Sequence, residues 1–471
     1  MDATIEASSA DAPVPVKNES ADAPVLVKHE STDGHPQDPS ATTSALSTAK
    51  VPTKPLVKVK VVPEQVPGEG QVTILDHPAK PLRPIYKTCG TCRTYNVIPY
   101  VSAVHPNAIY SVAATPCNKW VLTGSEDGYI RKWNFYDSMN GALPLTQSQR
   151  HMQVDTVTKA GVIASYWDND NTPDPRSLSP VYSLDVQSEA MFAVSGQSKY
   201  IALWGLRFDE GRKIHVFKEH TFPVSALKIS PDEYGMVSGS WDKRVLYWDL
   251  NTGQVAREFK GHVSQISGVS FRPTPRQPTT GNTEGEKGAS APSQPILMTT
   301  SIDGQCKFWD LRDPTQLPQS FNPQGKNPPW CLASAWSPDG SKVYIGRRNA
   351  TVEEWDFSMG QFIRTLKLPN NSGPVTSLTC TVNGKQIVVG SQDNLRMWDL
   401  ETSTDDDKSV GVPFQVIPGH HGVAISSVII DQSGRFMISA SGNRGWDGIN
   451  SNFCYFYEMV PLNEPIQQPI L

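Results

Sequence analysis

VSGSWDKRVLYWDL, residues 237–250, decides the fold. An apolar run gives way to a polar turn carrying Asp242, and a second apolar run ends on Trp248-Asp249. Two such runs around a tight turn read as paired antiparallel strands. Upstream stands His220, eighteen residues before Ser238, followed by TFPVSALKISPDEYG (221–235), another apolar run closed by a turn. With one further strand after Trp248-Asp249, these segments make a four-stranded unit, one blade of a β-propeller. A lone blade cannot bury both of its faces, so the chain must hold further copies.

Sliding this unit along the chain finds seven matches in all. They are IYSVAATPCNKWVLTGSEDGYIRKWNF (109–135), VYSLDVQSEAMFAVSGQSKYIALWGL (181–206), the opening stretch, GHVSQISGVSF (261–271) with ILMTTSIDGQCKFWDL (296–311), CLASAWSPDGSKVYIGRRNATVEEWDF (331–357), VTSLTCTVNGKQIVVGSQDNLRMWDL (375–400), and AISSVIIDQSGRFMISASG (424–442) with NFCYFYEM (452–459). The matching aromatic positions are Trp133, Trp204, Trp248, Trp309, Trp355, Trp398 and Tyr457, separated by 71, 44, 61, 46, 43 and 59 residues. The short separations fit a WD repeat of roughly 40–45 residues, and the long ones are that period plus an insertion. The sequence therefore predicts an all-β, seven-bladed WD-repeat β-propeller preceded by a disordered N-terminal tail. Residues 1–70 are the tail, 71–94 a lead-in, 95–460 the propeller and 461–471 a C-terminal extension.

Composition narrows the function. A formal net charge of −5 implies no bulk attraction to nucleic acid or anionic lipid. No run of eighteen apolar residues and no signal-peptide pattern appear, which predicts a soluble intracellular protein. Seven scattered cysteines fit a reducing compartment better than a disulfide framework. Cys89 and Cys92 form a Cys-x-x-Cys, but only His77 and His105 lie nearby and there is no second pair, so two ordinary thiols is the favoured reading.

Residues 1–70 contain no aromatic residue and are rich in Pro, Ala, Ser, Thr, Val and Lys. Such a segment buries too little apolar area to offset its ordering entropy. It holds a near-duplication, SADAPVPVKNES (9–20) and SADAPVLVKHES (20–31). Each copy places Lys17 or Lys28 in a Val-Lys-x-Glu pattern, the acceptor pattern of lysine sumoylation. A duplicated low-complexity spacer kept solvated by its charges is the simpler reading.

A ring of blades must close, or its first and last sheets present unpaired edges. Little chain follows Tyr457, whereas YNVIPYVSAV (95–104) sits at the phase of a fourth strand just before the first unit. That segment is predicted to complete the last blade.

His220 and His262 each precede a blade, and the repeat geometry can bring them near Ser238 or Thr299, Asp242 or Asp303, and Trp248 or Trp309. On paper this resembles a serine-protease set. A satisfied polar network repeated blade after blade explains it better, since a catalytic set occurs once, in a cleft. No phosphate-cradling glycine loop, His-Glu-x-x-His or nucleophile elbow occurs. No cofactor, small-molecule substrate or enzymatic activity is therefore expected.

Function is then expected on loops. Loops joining second to third strands, and fourth to the next first, open on one face, the top; the others open on the bottom. Insertions at 136–176, 272–295 and 401–412 are all assigned to the bottom. Residues 272–295 read as a floppy loop; 136–176, with Tyr166, Trp167, Asp168 and Asp170, read as partly ordered. Asp405, Asp406 and Asp407 add a second acidic cluster there. Top-face candidates are Trp241, Trp330, Arg347, Arg348, Arg444 and Trp446, residue types enriched at binding hot spots. Trp241 and Trp330 could equally pack on neighbouring loops.

A propeller behind a low-complexity tail, with VLTGSEDGYIRKWNF followed by QRHMQVDTVTKAGVIASYWDND, resembles the WD-repeat, TATA-binding-protein-engaging subunits of the fungal SAGA transcription co-activator, the suppressor-of-Ty class. The resemblance covers roughly residues 85–460 and is most specific over 121–171. It implies a nuclear, non-enzymatic subunit that helps SAGA bind TATA-binding protein and place it at promoters. The family's N-terminal region is often strongly acidic, whereas residues 1–90 here carry 11 acidic and 9 basic residues. TATA-binding protein offers a basic DNA-binding saddle, so an acidic or aromatic surface should meet it, and the Asp168/Asp170 and Asp405–Asp407 clusters are the expected contacts. A different nuclear adaptor, either a ubiquitin-ligase substrate receptor or a histone-peptide reader using Trp330, Arg347 and Arg348, is the alternative.

Overall fold

The computed structural model describes residues 85–171, 174–273, 295–313, 318–321, 328–401, 413–442 and 452–463. Seven sheets of four main strands make up seven blades. Blade three shows the plan: Val224–Ile229, Gly235–Ser240, Val245–Asp249 and Gln254–Phe259 run antiparallel in chain order. First strands of successive blades are neighbours, and that of blade one also neighbours that of blade seven, so the ring is closed.

Packing between blades explains the strand composition. The second strand of blade three, GMVSGS, is buried at every position because neighbouring blades cover both of its faces. Val194, Phe217, Leu246 and Trp248 meet in the apolar layer between blades two and three. A Cβ on Gly239 would stand 2.5 Å from Ile266 Cγ2 of blade four, so the glycine admits the next blade's first strand.

The seventh blade is built from both ends of the domain. Ile425–Ile430, Phe436–Ser441 and Phe453–Leu462 are followed in the sheet by Thr94–Val104, which pairs antiparallel with Phe453–Leu462 from Thr94↔Leu462 to Val104↔Phe453. Ahead of it, a short helix, Lys87–Thr91, docks on blades six and seven. Tyr86 N donates to Ser433 O at 3.1 Å, Arg93 N to Leu462 O at 3.0 Å, and Asn383 Nδ2 to Cys92 O at 3.3 Å.

The first-blade insertion departs from its expected bounds. It leaves the third strand (Tyr129–Asn134), forms helices Phe135–Met139 and Gln147–Arg150 and the two-residue strand Lys159–Ala160, then rejoins as the fourth strand, Val162–Asp168. Lys159–Ala160 pairs in parallel with Thr94–Val104, adding a fifth strand outside blade seven. Phe135 is fully buried against Phe436 and Phe456, with ring centroids 5.1 and 5.2 Å away, and Tyr455 Oη donates to Gln153 Oε1 at 2.5 Å. The insertion thus covers an edge strand that would otherwise offer its backbone to any passing chain.

Candidate interaction surfaces

Five blades carry a polar thread beneath their top turns, four built on histidine and one on asparagine. In blade three, His220 Nδ1 donates to Asp242 Oδ2 at 2.8 Å, and Nε2 lies 2.7 Å from Ser238 Oγ, which accepts from Trp248 Nε1 at 2.7 Å. The indole can only donate, so Ser238 has its own proton to offer Nε2. Blade four repeats this with His262 to Asp303 at 3.2 Å, His262 to Thr299 at 2.8 Å and Trp309 to Thr299 at 2.9 Å. Burial disfavours the charge on Asp242, yet the histidine bond and the amides of Arg244 and Thr221 outweigh it and hold the carboxyl below its ordinary range; Asp303 behaves alike through His262, Gln305 and Val263.

Members of the thread that the sequence did not single out complete other blades. His105 Nε2 lies 2.7 Å from Thr123 Oγ1, which accepts from Trp133 at 2.9 Å. His420 Nε2 lies 2.8 Å from Ser439 Oγ, which bonds Tyr457 Oη at 3.1 Å. Burial pushes both imidazoles down to about 3. In blade two Asn169 replaces the histidine: its Oδ1 accepts from Ser195 Oγ at 2.9 Å and Gln197 Nε2 at 3.1 Å. The histidine-to-hydroxyl spacing of blade three, eighteen residues, recurs from His105 to Thr123, a signal that could have found that site.

Chemistry is absent from this arrangement for a physical reason. Ser238 and Thr299 are wholly buried, and each hydroxyl is committed to an indole, so neither meets a substrate. The thread is a turn-fixing device, repeated in four blades with histidine. Among the described residues no group of three or more His, Cys, Asp or Glu could hold a metal ion, and no helix is long and apolar enough to cross a membrane. Cys89 and Cys92 are buried free thiols; burial, then the neighbouring Cys92, pushes the Cys89 thiol up.

Several expected surface residues lie elsewhere. Tyr166, Trp167 and Asp168 belong to the fourth strand itself, and Asp168 pairs with Tyr129, the residue leaving the top turn of blade one. They therefore approach the top, not the bottom, because the insertion ends where the chain re-enters the blade as a strand of weak alternation. Trp167 is buried beside Trp204, ring centroids 6.4 Å apart, while Tyr166 is 65% exposed. Asp168 is exposed, whereas Asp170 is paired with Lys213 Nζ at 2.5 Å. Asp405, Asp406, Asp407, Arg444, Trp446, Lys17 and Lys28 lie outside the described residues, as do most of the 272–295 loop and residues 464–471.

Arg347 is a second correction. It is 1% exposed, held by Glu353 and donating from Nη1 to Gly304 O at 2.6 Å and Pro329 O at 3.1 Å. The last residue of a second strand points inward, and blades one and three place Ser125 and Ser240 there. Trp241 is half-buried, edge-on to Tyr182 at 5.6 Å, so it packs on a neighbouring loop. Trp330 remains exposed with Arg348 stacked 4.2 Å from its ring centroid. That guanidinium occupies one face of the ring.

The SPT8 beta propeller family model matches residues 95–291 and 291–460. The chain belongs to the SPT8 β-propeller family. SAGA complex subunit Spt8 of Schizosaccharomyces pombe is 36% identical over 441 residues, 81% of this chain and 82% of that protein. SAGA complex subunit SPT8 of Saccharomyces cerevisiae is 34% identical over 439 residues, 78% of this chain and 73% of its own. A guanine nucleotide-binding protein subunit beta of Oryza sativa subsp. japonica is 26% identical over 329 residues, 62% of this chain and 81% of its own. The SPT8 match spans the blade-seven closure, from the strand beginning at Thr94 to the one ending at Leu462.

Proposed function

We propose that this chain is a non-catalytic subunit of the SAGA co-activator that works in the nucleus, binds TATA-binding protein and helps deliver it to promoters. The observation that carries this reading is similarity to two SAGA subunits along about four-fifths of the chain. A ring whose recurrent polar groups are buried and mutually bonded offers surfaces for partners, which suits an assembly subunit. Direct sequence-specific nucleic-acid binding, a membrane and a small-molecule substrate form no part of it.

For TATA-binding protein, the exposed acids of blade one, Glu126 at the top turn and Asp168 beside it, supply charge complementary to a basic saddle. Affinity purification of the tagged full chain, with identification of co-purifying proteins, tests the reading. SAGA subunits with TATA-binding protein are the expected companions. A ubiquitin-ligase scaffold in their place would replace the proposal.

A further inference from the structure

Over blades three, four and five the top face has a different character from blade one. Phe222 is 57% exposed, Val263 71% and Trp330 38%, each on the segment leading into the first strand of its blade. The blade-four and blade-five segments are joined beneath. Val263 N donates to Asp303 Oδ2 at 3.0 Å, and the next residue, Gly304, packs on Pro328 and accepts from Arg347. Arg347 in turn fixes Pro329, and Arg348 N donates to Trp330 O at 3.0 Å. Val263 and Trp330 therefore stand on one braced platform, with Phe222 on the corresponding segment of blade three.

Cations frame it. Lys243 is exposed in the blade-three turn at φ +74°, a conformation that blades one and four assign to Gly128 and Gly304. Lys260 is 80% exposed, 3.6 Å from Glu258, and the Arg348 guanidinium carbon lies over the indole. A stacked guanidinium is suited to bidentate carboxylate recognition.

We propose that this face is a docking site for an acidic peptide segment bearing bulky apolar side chains. Its carboxylates would meet Lys243, Lys260 and Arg348, and its apolar groups would lie on Phe222, Val263 and Trp330. Charge complementarity selects that occupant, because a basic peptide would face the like charges of Lys243, Lys260 and Arg348. The site is separate from the acids of blade one and stands or falls independently of the SAGA reading.

The test uses the full chain and three labelled probes of equal length and charge magnitude. One alternates Asp or Glu with Phe or Leu, one carries Lys for every acid, and one is oligothymidylate. Fluorescence anisotropy should show binding of the acidic peptide alone. Trp330→Ala and the pair Lys243→Glu with Lys260→Glu should each weaken it about tenfold or more, with thermal midpoints unchanged. The charge variant should also flatten its salt dependence. Equal binding of the acidic and lysine peptides, oligothymidylate binding as tight as the acidic peptide, or affinities within about twofold in both variants would overturn the proposal.

Discussion

Arg347 Nη2 lies 2.8 Å from Glu353 Oε2 and Nε lies 3.1 Å from Oε1, a two-point clamp buried within blade five. Blades one and six place an arginine two residues before the tryptophan and pair it with a turn aspartate: Arg131 with Asp127 and Arg396 with Asp393, at 2.6 and 2.7 Å. Blade five reverses the signs, and Trp355 Nε1 donates to Glu353 at 3.1 Å where Trp248 uses Ser238. Removing Arg347 leaves the Glu353 charge without its buried partner. Arg347→Ala should cost about 3 kcal/mol, read by urea unfolding. A loss under about 0.5 kcal/mol, as for an exposed side chain, would contradict the clamp.

His420 predicts a pH response. Burial lowers its pKa from 6.5 to about 3, so the folded chain stays unprotonated there while the unfolded chain takes up a proton below 6.5. Stability is therefore fully present above pH 6.5 and falls by about 1.4 kcal/mol per pH unit per such histidine as pH drops toward 3. His420→Gln removes the titration and can keep the bond to Ser439. Its urea-unfolding free energy should change less between pH 7 and 5 than that of the parent; identical slopes would refute this.

Phe135 tests the cover on blade seven. Phe135→Ala empties a site between Phe436 and Phe456 and should cost about 3–5 kcal/mol. Hydrogen exchange should rise first in Thr94–Val104 and Phe453–Leu462 while blades three to five stay protected. A uniform rise around the ring would show that the insertion does not act locally.

Asp168 and Glu126 test the partner surface. Charge reversal at both, Asp168→Lys with Glu126→Lys, should slow association with TATA-binding protein about threefold or more at low salt and flatten its salt dependence. Asp170→Lys would report on the Lys213 ion pair instead. Surface-plasmon rates unchanged in the double variant would place the contact elsewhere.

The fold was legible because each blade ends on an aromatic at a fixed phase, and packing both faces of a sheet leaves a near-continuous apolar second strand. Fourth strands were harder. Val162–Asp168 is half exposed and lacks clean alternation, so its pattern reads as a loop and points its residues to the wrong face. Arg347 misled because charge usually means surface; only the blade register shows that its position points inward. Asn169 could not be read as a histidine substitute, since it sits outside the repeat unit, 26 residues before Ser195, and is a different residue type.

Blade seven sets a schedule on the ribosome. Thr94–Val104 emerges early, but its partner Phe453–Leu462 is made last. At about 5–20 residues per second, synthesis of the intervening chain takes on the order of tens of seconds. The first-blade insertion appears soon after that waiting strand and bonds to it directly, through Thr158 N to Tyr100 O at 3.3 Å and Gly161 N to Ser102 O at 3.1 Å. It covers the outer edge of that strand and leaves open only the edge that takes Phe453–Leu462, which gives the appendage a use before any partner is met.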